Sequence, residues 1–215
     1  MENKTNQQET PPNGEEIHVQ HVTLSQSNMG SVTAHSVDMT RGGAAKVKGD
    51  TVTIRQGGVQ EVYADDMVVR QGGVVRAQTE TLEVNQGGVV LATTKTAQFN
   101  AANAVAVVAG EAVTLSQSEA KVVLTRADVV VDQGSVQALV TTGDVTMDQA
   151  GAGILVAGNV KASNSGTFLL IAGNVSGDVK ATFGPIESII FGVVAGIVAG
   201  ALLLFGNLFG RRFRK

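Results

Sequence analysis

The chain has 215 residues, no cysteine, no tryptophan and a formal net charge of −3. This length suits one elongated domain with short appendages, and the absence of cysteine excludes disulfides, thiolate zinc sites and a cysteine nucleophile. The weak negative charge and the scarcity of aromatic residues exclude the usual footprint of nucleic-acid binding, so no nucleic acid is expected as a partner.

The N-terminal segment 1–17 is predicted to be a disordered polar tail. It carries Pro-Pro-Asn-Gly at positions 11–14 and has almost nothing to bury. It lacks the apolar region of a secretory signal, so none is expected here. His18, His21 and His35 follow in different places of the repeat described next, which favours solvated histidines over a metal site.

A repeat of 15 or 16 residues fills the predicted domain 18–183. Its clearest copies contain the triplet Gln-Gly-Gly, starting at Gln56, Gln71 and Gln86, and the same phase continues through ten copies. Positions in a copy are counted from the first residue of this triplet, which is position 0. Such fixed self-similarity predicts a repeat architecture, in which each copy is one structural unit.

The chemistry of the repeat predicts two or three short strands in each copy. Positions −4 and −2 are apolar in every copy and position −3 is mostly polar, which is the alternation of a half-buried strand. After the triplet, position +6 is apolar and position +8 is small. We expect a corner at the glycines, because glycine reaches backbone angles that other residues avoid.

One such coil cannot bury its apolar side alone, whereas stacked coils about 4.8 Å apart share one narrow core. The sequence therefore predicts an all-β fold: a single-stranded β-solenoid of about ten coils, followed by one C-terminal transmembrane α-helix.

An amide recurs at position 0. Stacked amides can hydrogen-bond along the solenoid axis, as in cross-β stacks, and the alternative is solvated, unpaired corner residues. The predicted amide ladder comprises Gln26, Gln56, Gln71, Gln86, Gln117, Gln133, Gln149 and Asn164.

The outward positions +5 and +7 change from charged to apolar residues at about Leu91. An exposed apolar surface of this extent usually marks an interface, and we expect self-association through it. Cover by the C-terminal helix of the same chain and contact with lipid are the alternatives. The predicted apolar outer face comprises Val108, Val122, Leu124, Val140, Ile154, Val156, Leu169 and Ile171.

The C-terminal region contains 21 consecutive uncharged residues, 189–209. This run is long enough to cross a hydrocarbon core of about 30 Å. We therefore predict a transmembrane helix over 186–210 and a basic tail over 211–215; a helix packed on the apolar outer face of a soluble protein is the alternative. The glycines predicted to pack against another helix are Gly192, Gly196 and Gly200, and the basic residues at the membrane boundary are Arg211, Arg212, Arg214 and Lys215.

Two signals compete over the membrane side of the solenoid. The basic tail favours its own retention in the cytoplasm, which would place the solenoid outside. No export signal precedes the solenoid, however, and a late span that inserts as a tail anchor leaves it in the cytoplasm. We expect a single-pass membrane protein with a C-terminal anchor and a cytoplasmic solenoid.

No arrangement of residues in the sequence predicts catalysis. The repeat has no long insertion that could wall a cleft, and the adjacent acidic pair Asp65–Asp66 lies at a generally acidic open corner. General acid–base catalysis requires carboxylates in contrasting environments, which such a corner does not provide. We expect no enzyme activity, no catalytic residue, no cofactor, no metal and no small-molecule substrate.

Glycine- and valine-rich coils such as those containing 157–160 (AGNV) and 172–179 (AGNVSGDV) resemble the bactofilins, polymer-forming bacterial cytoskeletal proteins with a β-helical core. The resemblance implies a nucleotide-free scaffold that polymerises end to end through unpaired terminal strands. Coils of 15 residues and a C-terminal span depart from the family pattern.

Three functional hypotheses follow. The first is a membrane-anchored structural protein that self-associates, with membrane lipid and further copies of the chain, as a homo-oligomer or polymer, for partners. The second is a rigid, rod-like binding module that displays its charged N-terminal coils to a protein or glycan. The third is an enzyme built on a solenoid scaffold.

Overall fold

The computed structural model describes residues 19–26 and 28–183 of the chain. Within these residues all secondary structure is β, and a single parallel sheet winds into a β-solenoid. The strands are β1 (Val19–Ser25), β2 (Asn28–Arg70), β3 (Gly72–Asn85), β4 (Gly88–Thr94), β5 (Thr96–Asn100), β6 (Asn103–Ala109), β7 (Val113–Ser116), β8 (Glu119–Thr125), β9 (Val129–Asp132), β10 (Ser135–Val140), β11 (Asp144–Asp148) and β12 (Gly151–Phe183).

The sheet divides and closes again along the solenoid. β3 pairs with both β4 and β5; β4, β6, β8 and β10 then stack on one side, β5, β7, β9 and β11 on another, and both stacks meet at β12. The long strands β2 and β12 run without a break around several coils, although Arg41 in β2 and Asn164 in β12 have positive φ angles of 55° and 46°.

The strand register confirms the repeat. Val84 lies opposite Phe99, Phe99 opposite Leu115, and Leu115 opposite Val131, which are steps of 15, 16 and 16 residues. Ten copies of the triplet thus bound about nine turns. The predicted transmembrane helix and the polar tail lie outside the described residues.

The core is a narrow column of stacked side chains. Positions −4, −2 and +6 point inward, and so does position +3, which the sequence left unassigned. Each large buried side chain contributes about 1.5–3 kcal/mol relative to exposure. The largest fully buried side chains are Phe99, Met39, Ile54, Met67, Leu82, Leu115, Leu139, Met147, Leu155 and Leu170.

The glycines do not make the corner in the way expected. The left-handed backbone conformation falls at position 0, with φ of 55° at Gln71 and 52° at Gln86, whereas among the described glycines only Gly177 has a positive φ. The expectation that glycine supplies the unusual angles is therefore wrong. A non-glycine residue takes this conformation at a cost of about 1–2 kcal/mol.

The glycines at position +1 are required by close approach between coils. A Cβ added to Gly57 would lie 2.1 Å from the carbonyl oxygen of Gly42, and one added to Gly87 would lie 2.5 Å from that of Gly72. Of the later coils, four carry alanine or serine at this position, and the fifth carries Gly134, where an added Cβ would lie 2.5 Å from the carbonyl oxygen of Ser118.

Buried threonines at position +8 donate hydrogen bonds to backbone carbonyls at the corner that follows this position. The hydroxyl of Thr125 donates to the carbonyl of Glu111 at 3.0 Å, and that of Thr141 donates to the carbonyl of Ala127 at 2.6 Å. A buried carbonyl without a partner would be costly, so these hydroxyls explain why a polar residue is tolerated at an inward position.

Candidate interaction surfaces

The amides of position 0 line one edge of the solenoid. Gln56 Nε2 donates to Gln71 Oε1 at 3.2 Å, and Gln71 Nε2 donates to Gln86 Oε1 at 3.1 Å. A separate pair joins Gln117 Nε2 to Gln133 Oε1 at 3.4 Å. These contacts run along the solenoid axis between neighbouring coils.

The column of amides is interrupted. Arg41 and Ala101 occupy two of its places. Within the described part of the chain, Gln26, Gln149 and Asn164 make no hydrogen bond to a neighbouring position 0.

A second amide contact was missed by the sequence reasoning. At position −1, Asn100 Nδ2 donates to Asn85 Oδ1 at 3.0 Å, and Asn85 donates to Glu83. Its only sign in the sequence is a pair of asparagines one copy apart, and two residues are too few to form a recognisable column.

The apolar outer face lies on β6, β8, β10 and β12. Its exposed members range from 36% accessible at Val122 to 47% at Ile171. Val156 and Leu169 are half-buried on the same face. Parallel pairing stacks Val122 between Ala106 and Ala138, so the face is a continuous sheet surface rather than scattered residues.

A second apolar strip, which the sequence reasoning missed, runs beside this face. Position +2 forms its floor, here named the trough, and position +4 forms a raised row, here named the ridge. The ridge valines Val75, Val90 and Val105 are 52%, 48% and 41% exposed. A groove of about 860 Å³ follows the strip across its first coils, and another of about 540 Å³ continues it to the last coils.

Residues that form the trough change along the strip. The trough residue is glycine in four successive coils, polar in the next three and glycine again at the C-terminal end. The first four glycines are Gly43, Gly58, Gly73 and Gly88. No atom lies within 4 Å of a Cβ added to Gly73, in contrast to the crowded glycines at position +1.

The early coils present charged residues paired along the axis. His35 Nδ1 lies 2.7 Å from Asp50 Oδ2, and Lys46 Nζ lies 5.1 Å from the centre of the Tyr63 ring. His35, Asp50 and Tyr63 border a polar groove of about 570 Å³ that also contains Lys48. Exposed ion pairs of this kind are worth at most about 1 kcal/mol each, so they shape the surface more than they stabilise it.

Lys95 lies at the C-terminal end of this polar groove. Its ammonium group hydrogen-bonds to the side chain of Glu80, which is the main reason that the pKa of Lys95 is raised above 10.5; the charges of Glu111 and Asp65 act in the same direction. Desolvation lowers the pKa of Lys95 and is the second-largest influence on it, after the hydrogen bond to Glu80.

The histidines do not cluster with one another. His21 lies 3.0 Å from the hydroxyl of Thr23, and His35 pairs with Asp50. In residues 19–26 and 28–183 no three histidine or acidic side chains are grouped as metal ligands would be. Asp65 and Asp66 are exposed at their corner.

The remaining predicted site residues fall outside the described residues: Gly192, Gly196, Gly200, Arg211, Arg212, Arg214 and Lys215. Among the residues that the structure describes, none belongs to a helix able to cross a membrane.

No family model, curated protein or solved structure matches this chain.

Proposed function

We propose that this protein is a membrane-anchored structural scaffold that self-associates through its β-solenoid, is not an enzyme and is similar in this respect to the bactofilins. The observation that carries the proposal is the apolar outer face. Six of its large apolar side chains are 36–47% exposed on adjacent paired strands: Val108, Val122, Leu124, Val140, Ile154 and Ile171.

The form of the apolar outer face supports contact with another sheet. Positions +5 and +7 carry no charged residue from Leu91 to Ile171, although they are charged in the early coils. Two sheet faces pack about 10 Å apart with interleaved side chains. Burial gains about 25 cal/mol per Å² of apolar area, so a partner sheet would remove the cost of this exposed surface.

The uncharged run 189–209 and the basic residues after it support the membrane anchor. Copies anchored in one membrane have a raised effective concentration, so a weak lateral contact is sufficient for assembly. Lipid is therefore proposed as a partner of the anchor, and the cytoplasm is the proposed side of the solenoid.

A single charge on the apolar outer face tests the self-association. Val140→Lys places a charge in the middle of the face and is expected to reduce the size of assemblies of the full-length protein in detergent, measured by light scattering and negative-stain imaging. Val130→Lys is the matched control, because Val130 is 41% exposed and Val140 is 40% exposed but the two lie on different sides of the coil.

The control variant should assemble like the wild type. Wild-type protein that is strictly monomeric at all concentrations would contradict the proposal, and so would equal loss of assembly in both variants.

A second candidate function is a rod-like binding module, favoured by the polar groove beside Lys48, Asp50 and Tyr63. An aromatic ring among charged and amide groups suits a glycan or a charged peptide. A monomeric rod that binds a glycan or peptide in a screen and loses it on Tyr63→Ala would support this function, whereas unchanged binding by that variant would contradict it.

A further inference from the structure

We propose that two copies of this chain pair side by side and parallel through the trough and the ridge, about a two-fold axis that runs parallel to the solenoid axis. The inference rests on the self-association in the proposed function and assigns it a surface distinct from the apolar outer face. The occupant of the groove is thus a second copy of the same strip.

The orientation follows from the order of the rows. A two-fold axis parallel to the solenoid exchanges left and right across the facing surfaces but keeps the direction of the coils. The ridge of each copy then faces the trough of the other, and each coil faces its own equivalent, as an isologous interface requires. An axis perpendicular to the solenoid would place ridge on ridge and trough on trough.

Side-chain size is complementary in this arrangement. Three of the four large apolar ridge residues face glycine, and Val105 faces Asn103. Val75 faces Gly73 of the second copy, and Val90 faces Gly88 of the second copy. The same rule holds in the last coil, where the ridge residue Phe168 is 58% exposed and the trough residue is Gly166.

No contact within one copy requires glycine at the trough positions Gly73 and Gly88, whereas a Cβ added to Gly43 would lie 2.9 Å from Asn28 Oδ1. Gly73 and Gly88 do not have positive φ angles, and an added Cβ would meet nothing within 4 Å at Gly73 and only a carbonyl oxygen at 3.7 Å at Gly88. Side chains would fit there in a monomer. In the pair they would fill the space that the ridge valines of the second copy occupy.

Charge is complementary in the coil where the trough is acidic. Glu119 lies in the trough and Lys121 lies on the ridge of the same coil, and both side chains are exposed. Parallel pairing places each of them against the opposite charge of the second copy, which gives two reciprocal ion pairs.

Apart from Glu119 and Lys121 the strip lacks charge, although the row next to it does not. From Gly43 to Val105 no charged residue occurs in the trough, in the ridge or at the inward position +3 between them. Position +5 in the same coils carries Lys46, Glu61 and Arg76. Depletion of charge in the centre and polar residues at the edge are typical of an interface core.

The strip is large enough for a stable contact. From Gly30 to Phe168 it crosses nine steps of the repeat, and at about 4.8 Å per step it is roughly 43 Å long. With rows +1 and +5 as its rim the strip spans four residue steps, or about 13 Å, so the pair would bury roughly 1,100 Å² in total, above the roughly 1,000 Å² expected of a biological interface. Parallel pairing also leaves Phe183 of both copies at the same end, so both C-terminal segments could enter one membrane.

Thiol crosslinking tests the register, because the natural chain has no cysteine. Full-length Gly73→Cys and Val75→Cys, carrying different tags, are mixed in detergent and treated with a thiol crosslinker that spans about 10 Å, the distance between packed sheets. A mixed crosslinked dimer is expected. Gly73→Cys mixed with Phe168→Cys is the matched control; these positions are six coils, or roughly 29 Å, apart in the pair.

Efficient crosslinking of the control, or none in the matched pair, would overturn the parallel register.

A charge exchange tests the ion pairs. Lys121→Glu alone and Glu119→Lys alone each place like charges face to face, so each is expected to weaken association by about tenfold or more in sedimentation experiments. An equimolar mixture of the two variants restores opposite charges across the pair, and mixed dimers should form with about wild-type affinity. Equal weakness of the mixture would overturn the inference.

Failure of the inference and failure of the proposed function give different results. If both charge variants and the ridge variant Val90→Lys associate normally while Val140→Lys does not, the paired strip is wrong and the scaffold proposal stands. If the wild type itself does not associate, both fail.

Discussion

Glycines of adjacent positions in the repeat have different physical roles. At position +1 the carbonyl oxygen of the preceding coil occupies the space of a side chain, as at Gly57. At position +2 the space is open, as at Gly73. Glycine at Gly57 is therefore required by packing between coils of the same chain. Glycine at Gly73 is not required by any such packing, so only a partner outside the chain could constrain it.

Substitution of these two glycines by alanine should have opposite consequences. Gly57→Ala forces the two coils apart and is expected to lower the free energy of unfolding by about 1–3 kcal/mol, the usual cost of overpacking. Gly73→Ala should leave it unchanged or raise it by up to about 1 kcal/mol, because the unfolded chain loses conformational freedom. Denaturant unfolding measures both, and equal destabilisation by the two variants would contradict this account.

The raised pKa of Lys95 depends on Glu80. A raised folded-state pKa means that the stabilising contact is fully present below the unfolded value of 10.5 and is lost as the pH rises through the folded value. Glu80→Gln removes the carboxylate charge, so the pKa of Lys95 should fall towards 10.5. An NMR titration of the lysine Cε signal measures this shift; Glu83→Gln, on another outward row, should leave the pKa unchanged.

At the scale of the element, the corners with ladder bonds and a positive φ combine a backbone cost with a side-chain gain. Gln71 has a φ of 55° and makes two amide hydrogen bonds along the axis. An exposed hydrogen bond contributes about 0.5–1.5 kcal/mol at most. At Gln71 the amide contacts thus offset a backbone conformation that glutamine otherwise avoids, whereas Arg41 and Ala101 take the same conformation without such contacts.

Two substitutions at Gln71 separate these contributions. Gln71→Ala loses the hydrogen bonds but keeps the left-handed backbone, so it should lower the free energy of unfolding by about 1–2 kcal/mol. Gln71→Gly loses the same bonds but relieves a backbone cost of about 1–2 kcal/mol, so it should be nearly neutral. Thermal and denaturant unfolding distinguish them.

Gln149→Ala is the matched control, because Gln149 has the same backbone conformation with a φ of 47° but no ladder bond among the described residues. A loss of stability as large as that of Gln71→Ala would show that the ladder bonds do not contribute.

For the whole molecule, stability is approximately a sum over coils and the contacts between neighbours. Phe99 lies in a central coil and contacts the core on both sides, since it pairs in register with Val84 and Leu115. Leu24 lies in the first described coil and has a described neighbour on one side only. Loss of the Phe99 side chain should therefore weaken the coupling between the parts of the solenoid on either side of it. Loss of the Leu24 side chain should only destabilise the first described coil.

Phe99→Ala is expected to lower the free energy of unfolding by about 3–5 kcal/mol and to reduce the cooperativity of unfolding. Leu24→Ala should cost less, because the end coil can open without disturbing the rest. Hydrogen exchange gives the spatial pattern: loss of protection spreading to both sides of Phe99, and confined to β1 and its neighbour for Leu24. Identical exchange patterns would contradict a one-dimensional stack.

The repeat length, the stacking and most inward positions could be predicted from the sequence, because each is visible as the same chemistry at the same place in every copy. Val84 above Phe99 above Leu115 follows directly from the period. The apolar character of positions +5 and +7 in the later coils is equally local, and their exposure was expected.

The tertiary structure decided what depends on the direction of the backbone at a corner. It placed the left-handed residue at Gln71 rather than at the glycines, and it turned position +3 inward. It also set Val75 and Gly73 side by side on one surface, which makes a ridge and a trough. A pattern along the chain shows which positions are alike. The direction in which each corner bends is fixed only when the coils close and stack. That direction decides which rows become neighbours on the outer surface.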